Sequence, residues 1–291
     1  ELVQILIDDE DMNLDARTKN QMKIKDNKTI VPAIKIGSPL TLTGLESMTF
    51  YGDGENVTMD NAINDTQCSS DYNTSSTQTT RNASYLSCYE KYSERAVITN
   101  SGAAITFADD DQLEFVYNGT TVDDLADLIS GANGTAAYTY INYDFRSLGG
   151  GSNDVNYYLN FTIGDDSLTS NAGAGSGTAD YAHMITDETN NGFFSTGLIG
   201  QVLINQPGTK ATGFGSLTGA DALEVIVEFN MIDGSAGAEL ASGTSYPITM
   251  DFVTFGQSND GVNASDRHNN SIYRLEVDEV DENGGVFVGE L

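Results

Sequence analysis

Four short oxygen-bearing side chains recur at alternate positions near the start of the chain: Asp9, Asp11, Asn13 and Asp15, interleaved with Glu10, Met12 and Leu14. They follow directly on the apolar run 2–7. Such a comb suits a hard cation, because Ca²⁺ takes six to eight oxygens at about 2.3–2.6 Å. These four residues are therefore the candidate metal ligands, and Ca²⁺ is the candidate cofactor. The stretch is not an EF-hand loop, since the sixth position counted from Asp9 is Leu14 instead of Gly and the twelfth is Asn20 instead of Glu. The same letters also build a solvated acidic turn at a strand end, where Asp and Asn side chains take up nearby backbone N–H groups. Both readings stand on the sequence alone.

Other residue types that could do chemistry are sparse or poorly placed. His183 and His268 are the only histidines, and neither accompanies a G-x-S-x-G nucleophile turn. Paired acids at 109–111, 123–124 and 165–166 match the carboxylates of a glycosidase in type, but with 43 acids in the chain adjacency carries little information. The Gly-rich segment 173–177 has no Lys after it to cradle phosphate. The sequence thus offers no catalytic constellation, and the expectation is a protein that is not an enzyme.

Two features point to export. Cys68 and Cys88 are the only cysteines and flank a polar stretch with no zinc-like histidine spacing, so they are the candidate disulfide. A bridge closing that loop would contribute about 3 kcal/mol by loop entropy; the alternative is two separate thiols in a reducing compartment. N-x-S/T triplets stand at Asn27, Asn56, Asn64, Asn73, Asn82, Asn118, Asn133, Asn160, Asn263 and Asn269. Each is a candidate N-glycan acceptor on a surface loop, although a composition this rich in Asn, Ser and Thr also generates such triplets by chance.

Charge bounds the partners. Thirteen Lys and Arg face 43 Asp and Glu, a formal charge of −30. Such a surface repels phosphate backbones and excludes nucleic acid as the expected partner, while favouring cations or basic partners. Disorder is a poor reading, because 39% of residues are hydrophobic. No apolar run approaches the ~20 residues of a membrane-spanning helix. The chain opens on a strand with neither initiator Met nor signal peptide, as expected of a processed form or a piece of a longer exported polypeptide.

The elements that would position these residues are strands. Short apolar or alternating runs at 2–7, 29–36, 40–45, 48–51, 96–99, 104–107, 113–117 and 136–143 are bounded by Gly, Asn and Asp. More follow at 155–163, 193–204, 222–229, 246–255, 272–277 and 286–288. Period-two alternation at 223–229 and 273–277 gives each strand one apolar and one charged face. Strands at this density predict an all-β, β-sandwich architecture with long polar loops. One short connector helix is expected where Thr121 can cap, Asp124 stands three residues on and Gly131 ends the run. Low-complexity stretches at 64–87, 149–153, 167–180 and 207–220 mark loops or joints, and loose boundaries near 110 and 205 divide the chain into three expected domains: 1–110 with a Cys-containing polar insertion, 111–205 and 206–291. An echo between 187–194 and 281–287, an acidic pair leading through an Asn/Gly turn into an aromatic strand, reads as a repeated hairpin.

Both ends of the chain carry a family likeness. The opening strand with Asp9-Glu10-Asp11-Met12-Asn13-Leu14-Asp15 resembles the start of immunoglobulin-like repeats in surface-layer proteins of ammonia-oxidising archaea. The finish is similar to the same repeats, through Phe252-Val253-Thr254-Phe255-Gly256, Asp260-Gly261-Val262, the run 272–277 and then 281–291. The resemblance covers the first ~25 and last ~45 residues, with Glu10 where a proline is common and Gly284-Gly285 where Asn-Thr-Gly is more typical. It implies tandem immunoglobulin-like domains in a glycosylated, self-associating surface lattice stabilised by divalent cations, with an acidic coat that draws ammonium inward. That steering would reach only about a Debye length, ~8 Å at physiological salt. The competing expectation is an exported glycan-binding or adhesin-type module, with Tyr72, Tyr85, Tyr89 and Tyr92 as stacking candidates.

Overall fold

The computed structural model describes residues 3–13, 15–27, 29–52, 55–60, 85–90, 93–100, 104–106, 111–121, 124–125, 138–149, 157–165, 181–183, 197–206, 209–210, 222–231, 239–255, 262–263, 266–267 and 270–290. The expected all-β architecture is present: two six-stranded antiparallel sheets face each other, and a four-stranded sheet is built from both ends of the chain.

The first six-stranded sheet runs Thr209–Lys210, Ile199–Gln206, Tyr138–Asp144, Thr244–Phe255, Arg95–Asn100, Tyr85–Glu90. The second runs Tyr181–His183, Tyr157–Asp165, Ala222–Met231, Asp111–Thr121, Leu45–Gly52, Glu55–Asp60. Period-two alternation aims one face of each sheet inward. Ile141, Tyr143, Ile248, Met250 and Phe252 from the first sheet meet Phe115, Tyr117, Leu159, Phe161, Val225, Val227 and Phe229 from the second in one core. Rings bridge the two layers: Tyr143 lies 5.2 Å from Phe161, and Phe145 lies 6.0 Å from Phe229. Each such pair is worth about 0.5–1.5 kcal/mol beyond its buried area.

The three-domain division is not what this topology shows. Strands on either side of residues 110 and 205 alternate within the same two sheets, and their side chains share one core. Thr244–Phe255 alone pairs through 244–248 with Arg95–Asn100 and through 249–255 with Tyr138–Asp144. The polar stretches taken as joints instead connect strands of a single sandwich.

The four-stranded sheet has the order Gln4–Asp8, Val286–Glu290, Val277–Glu279, Gln21–Met22. Its inner side carries a separate small core of Met22, Leu275, Val277 and Phe287, backed by Ile5, Ile7 and Met12. The hairpin expected at 281–287 forms, with Val280 N–H donating to the Val286 carbonyl at 2.8 Å; its partner in the echo lies outside the described residues. Gly285 is required there. Its φ is +59°, and a Cβ would come 2.8 Å from Glu10 Cα.

A two-stranded ribbon, Ala33–Ile36 against Ser271–Arg274, joins this terminal sheet to the sandwich. It covers the outer face of the Thr244–Phe255 strand, where Asp251 and Val253 point away from the core and are nonetheless buried. Of the expected connector helix, Asp124 and Leu125 are described and helical. Its cap takes the anticipated form: Thr121 N–H and hydroxyl both donate to Asp124 Oδ2 at 2.8 Å, and Asp124 N–H donates back to Thr121 Oγ1 at 3.1 Å.

Candidate functional site

The acidic comb sits on the turn leaving the first strand. Asp9 caps a single 3-10 turn, Glu10–Met12, its Oδ1 accepting from Asp11 N–H at 3.0 Å. Asp15 Oδ1 accepts from Arg17 N–H at 3.0 Å and Oδ2 from the Thr18 hydroxyl at 3.2 Å. Asn13 Oδ1 accepts from Asn20 Nδ2 at 3.1 Å, and Asn20 in turn donates to buried Glu279 through its backbone N–H at 2.9 Å. Asp11 is exposed. Among the described residues no group of three or more His, Cys, Asp or Glu side chains comes together to hold a metal ion. In this arrangement Asp9, Asn13 and Asp15 accept hydrogen bonds from their own turn and from Asn20. Short side chains satisfy their own turn's N–H groups first, which is the second of the two sequence readings.

The glycan acceptors fall in different settings. Asn64, Asn73, Asn82, Asn133 and Asn269 lie outside the described residues, as does Cys68, so its pairing with Cys88 is not described. Asn56, Asn118 and Asn263 are on strands. Asn27 is half-buried. Asn160 is a strand residue whose Nδ2, the atom a glycan would occupy, donates to Glu228 Oε1 at 2.7 Å. Its Oδ1 is buried without a hydrogen-bond partner. Glu228 also accepts from Gln112 Nε2 at 3.2 Å and Asn230 Nδ2 at 3.0 Å, so three amides saturate one carboxylate on the outer face of the second sheet. His183 stands on the short edge strand Tyr181–His183, and His268 lies outside the described residues.

What sequence reasoning missed is how the chain uses its few cations. Arg95 is fully buried, and its guanidinium donates to the carbonyls of Ile24 at 2.7 Å, Asp26 at 2.8 Å and Thr29. Arg146 grips Asp144 with two nitrogens and reaches Glu276 at 2.7 Å. Arg274 binds Asp251 with both terminal nitrogens and donates to the Ser93 and Glu94 carbonyls, and Lys35 pairs with Glu94. All four links run between the sandwich and the terminal segments. Guanidinium suits them because its planar fork serves several acceptors at once. No local signal marks these arginines, since the partners lie 23 or more residues away, apart from the Arg146–Asp144 grip.

Burial governs the electrostatics around Asp251. Its carboxyl is pushed up from the ordinary value by loss of solvent, and Arg274 opposes that shift without reversing it. Tyr117, fully buried nearby, has its hydroxyl pushed well up by burial and then by the Asp251 charge. Asp124 moves the other way, held down by the Thr121 N–H and hydroxyl it accepts.

No family model matches this chain, and no curated protein matches it. Among solved structures it is similar to the infectious bursal disease virus VP2 subviral particle, at 10% sequence identity and a TM-score of 0.21, over 100% of this chain and 78% of that one. A superposition that weak carries neither fold nor function.

Proposed function

We propose that the chain is a structural subunit of an extracellular surface-layer lattice, an acidic coat whose counter-ions are mobile cations, Ca²⁺ among them, and whose exposed sequons carry N-glycans. One observation carries this reading. The two stretches that resemble surface-layer repeats are separated by more than 200 residues of unmatched chain, yet they pair strand to strand, Gln4–Asp8 against Val286–Glu290, into one sheet with its own core. That pairing is what a single repeat unit assembled from both matched ends would require.

The charge pattern supports the same reading. The formal excess of 30 negative charges remains after all 13 cations are counted, and four of those cations, Arg95, Arg146, Arg274 and Lys35, are tied up in internal links. Such a surface concentrates cations within a Debye length.

Negative-stain imaging of the purified protein, with millimolar Ca²⁺ and with EDTA, tests the proposal. Sheets or ordered fragments are the expected result with Ca²⁺. Isolated particles under both conditions, together with binding of a glycan by those particles, would favour the adhesin reading instead.

A further inference from the structure

The positive charge of this chain is concentrated in one short stretch. Residues 17–35 hold six of the thirteen Lys and Arg (Arg17, Lys19, Lys23, Lys25, Lys28 and Lys35) against one acid, Asp26. That segment carries +5, and the other 272 residues carry −35.

The fold presents part of this stretch outward. Arg95 draws the carbonyls of Ile24, Asp26 and Thr29 inward, leaving Lys25 and Ile30 exposed. The Ala33–Ile36 strand that follows has one ladder neighbour among the described residues, Ser271–Arg274. Lys35 turns in toward Glu94, while Ile34 and Ile36 face solvent beside Tyr273. An exposed apolar edge strand is a template for pairing with another chain.

An opposite patch lies on the terminal sheet. The turn after the first strand exposes Asp8, Glu10 and Asp11, and the C-terminal hairpin exposes Asp281 and Glu282. Asp9 N–H donates to the Gly285 carbonyl at 2.8 Å and locks the two turns together into one acidic tip.

We propose that the basic edge at 23–36 of one copy docks on the acidic double turn of a second copy of this chain. The inference rests on the coat-subunit reading and names the surface that reading requires. Charge complementarity selects the occupant: residues 23–36 hold Lys23, Lys25, Lys28 and Lys35 against Asp26, a net +3 in a strongly anionic protein even though Lys35 is engaged by Glu94, and the double turn is a compact anionic counterpart. Ile34 and Ile36 supply the desolvated centre, and the ion pairs around them set orientation and association rate. Because the two patches differ, the contact is heterologous and adds subunits head to tail instead of closing on a two-fold axis. Salt should weaken it, as expected for exposed charge pairs.

Sedimentation velocity on the full chain tests the proposal with two charge-reversed variants, K23E/K25E and E10K/E282K. Each variant alone should associate at least tenfold more weakly than the wild type. An equimolar mixture should form a mixed complex about as readily as the wild type self-associates, because one native pair of patches remains between them and the two reversed patches again carry opposite charge. That complex also reports that both variants fold. Wild-type-like association of both variants, or monomeric variants that ignore each other when mixed, would overturn the docking surface and leave the coat-subunit reading standing. A wild type that stays monomeric at every concentration, with and without Ca²⁺, would overturn both.

Discussion

Arg274 holds Asp251 in a two-pronged ion pair, with the guanidinium 3% and the carboxylate 0% exposed. The pair joins the terminal ribbon to the outer face of the strand that runs through the centre of the first sheet. Two buried charges in contact gain little net stability over a well-packed apolar pair, but removing one partner strands the other. Arg274→Ala is therefore expected to destabilise by about 3–5 kcal/mol. The double variant R274M/D251L should recover most of that loss. A urea-unfolding double-mutant cycle measures it, and additive single effects would show that the two residues do not act as a pair.

Arg95 makes a prediction about local opening. Its guanidinium serves three carbonyls of the loop at 24–29, and a lysine cannot reproduce that fork. Arg95→Lys should cost about 2–3 kcal/mol, since hydrogen bonds to charged groups contribute roughly 1.5–3 kcal/mol each. It should also speed tryptic cleavage at Lys23 and Lys25 selectively. Cleavage rates equal to those of the wild type would mean that the loop is held by something else.

Two glycines separate steric from conformational cost. Gly285 and Gly243 both have positive φ, +59° and +73°, but only Gly285 has backbone within 3 Å of a prospective Cβ. Gly243→Ala should cost about 1 kcal/mol, the left-handed penalty alone. Gly285→Ala should add an overpacking cost of roughly 1–3 kcal/mol and loosen the contact with Asp9. Equal melting shifts for the two variants would contradict the close approach of the two turns.

The helix cap carries a pH signature. Thr121 lowers the Asp124 carboxyl below its ordinary 3.8. Because the folded value is depressed, the cap's stabilisation is present above 3.8 and disappears as pH falls through the folded value. An NMR titration should place the Asp124 midpoint below 3.8 and return it toward that value in Thr121→Ala. An unmoved midpoint in the variant would rule the cap out as the cause.

The acidic turn yields a prediction about metal. Asp9, Asn13 and Asp15 already accept protein hydrogen bonds, so EDTA should shift Tm equally in the wild type and in Asp11→Ala. Loss of an EDTA-dependent shift in the variant would restore the Ca²⁺ site to this turn.

The central strands were legible in the sequence, and the sheet edges were not. Asp111–Thr121, Tyr157–Asp165, Ala222–Met231 and Thr244–Phe255 lie where apolar alternation places them, because each packs one face on the core. Glu55–Asp60, Tyr85–Glu90, Tyr181–His183 and Thr209–Lys210 were missed, and these are the four outermost strands of the two large sheets. An edge strand buries less and is often kept polar against aggregation, so its pattern is weak. Domain division failed for a related reason: pairing such as Pro247 with Val97 spans 150 residues, and no local composition records it. The acidic comb was visible as a pattern, but its hydrogen bonds to Arg17, Thr18 and Asn20 depend on turn geometry that spacing alone leaves open.

Sedimentation velocity of the wild-type chain over a range of protein and salt concentrations, with and without Ca²⁺, tests the central claim most directly. The account predicts mass rising above 31.1 kDa as protein concentration rises, with the rise suppressed by salt. A single 31.1 kDa species throughout would contradict it.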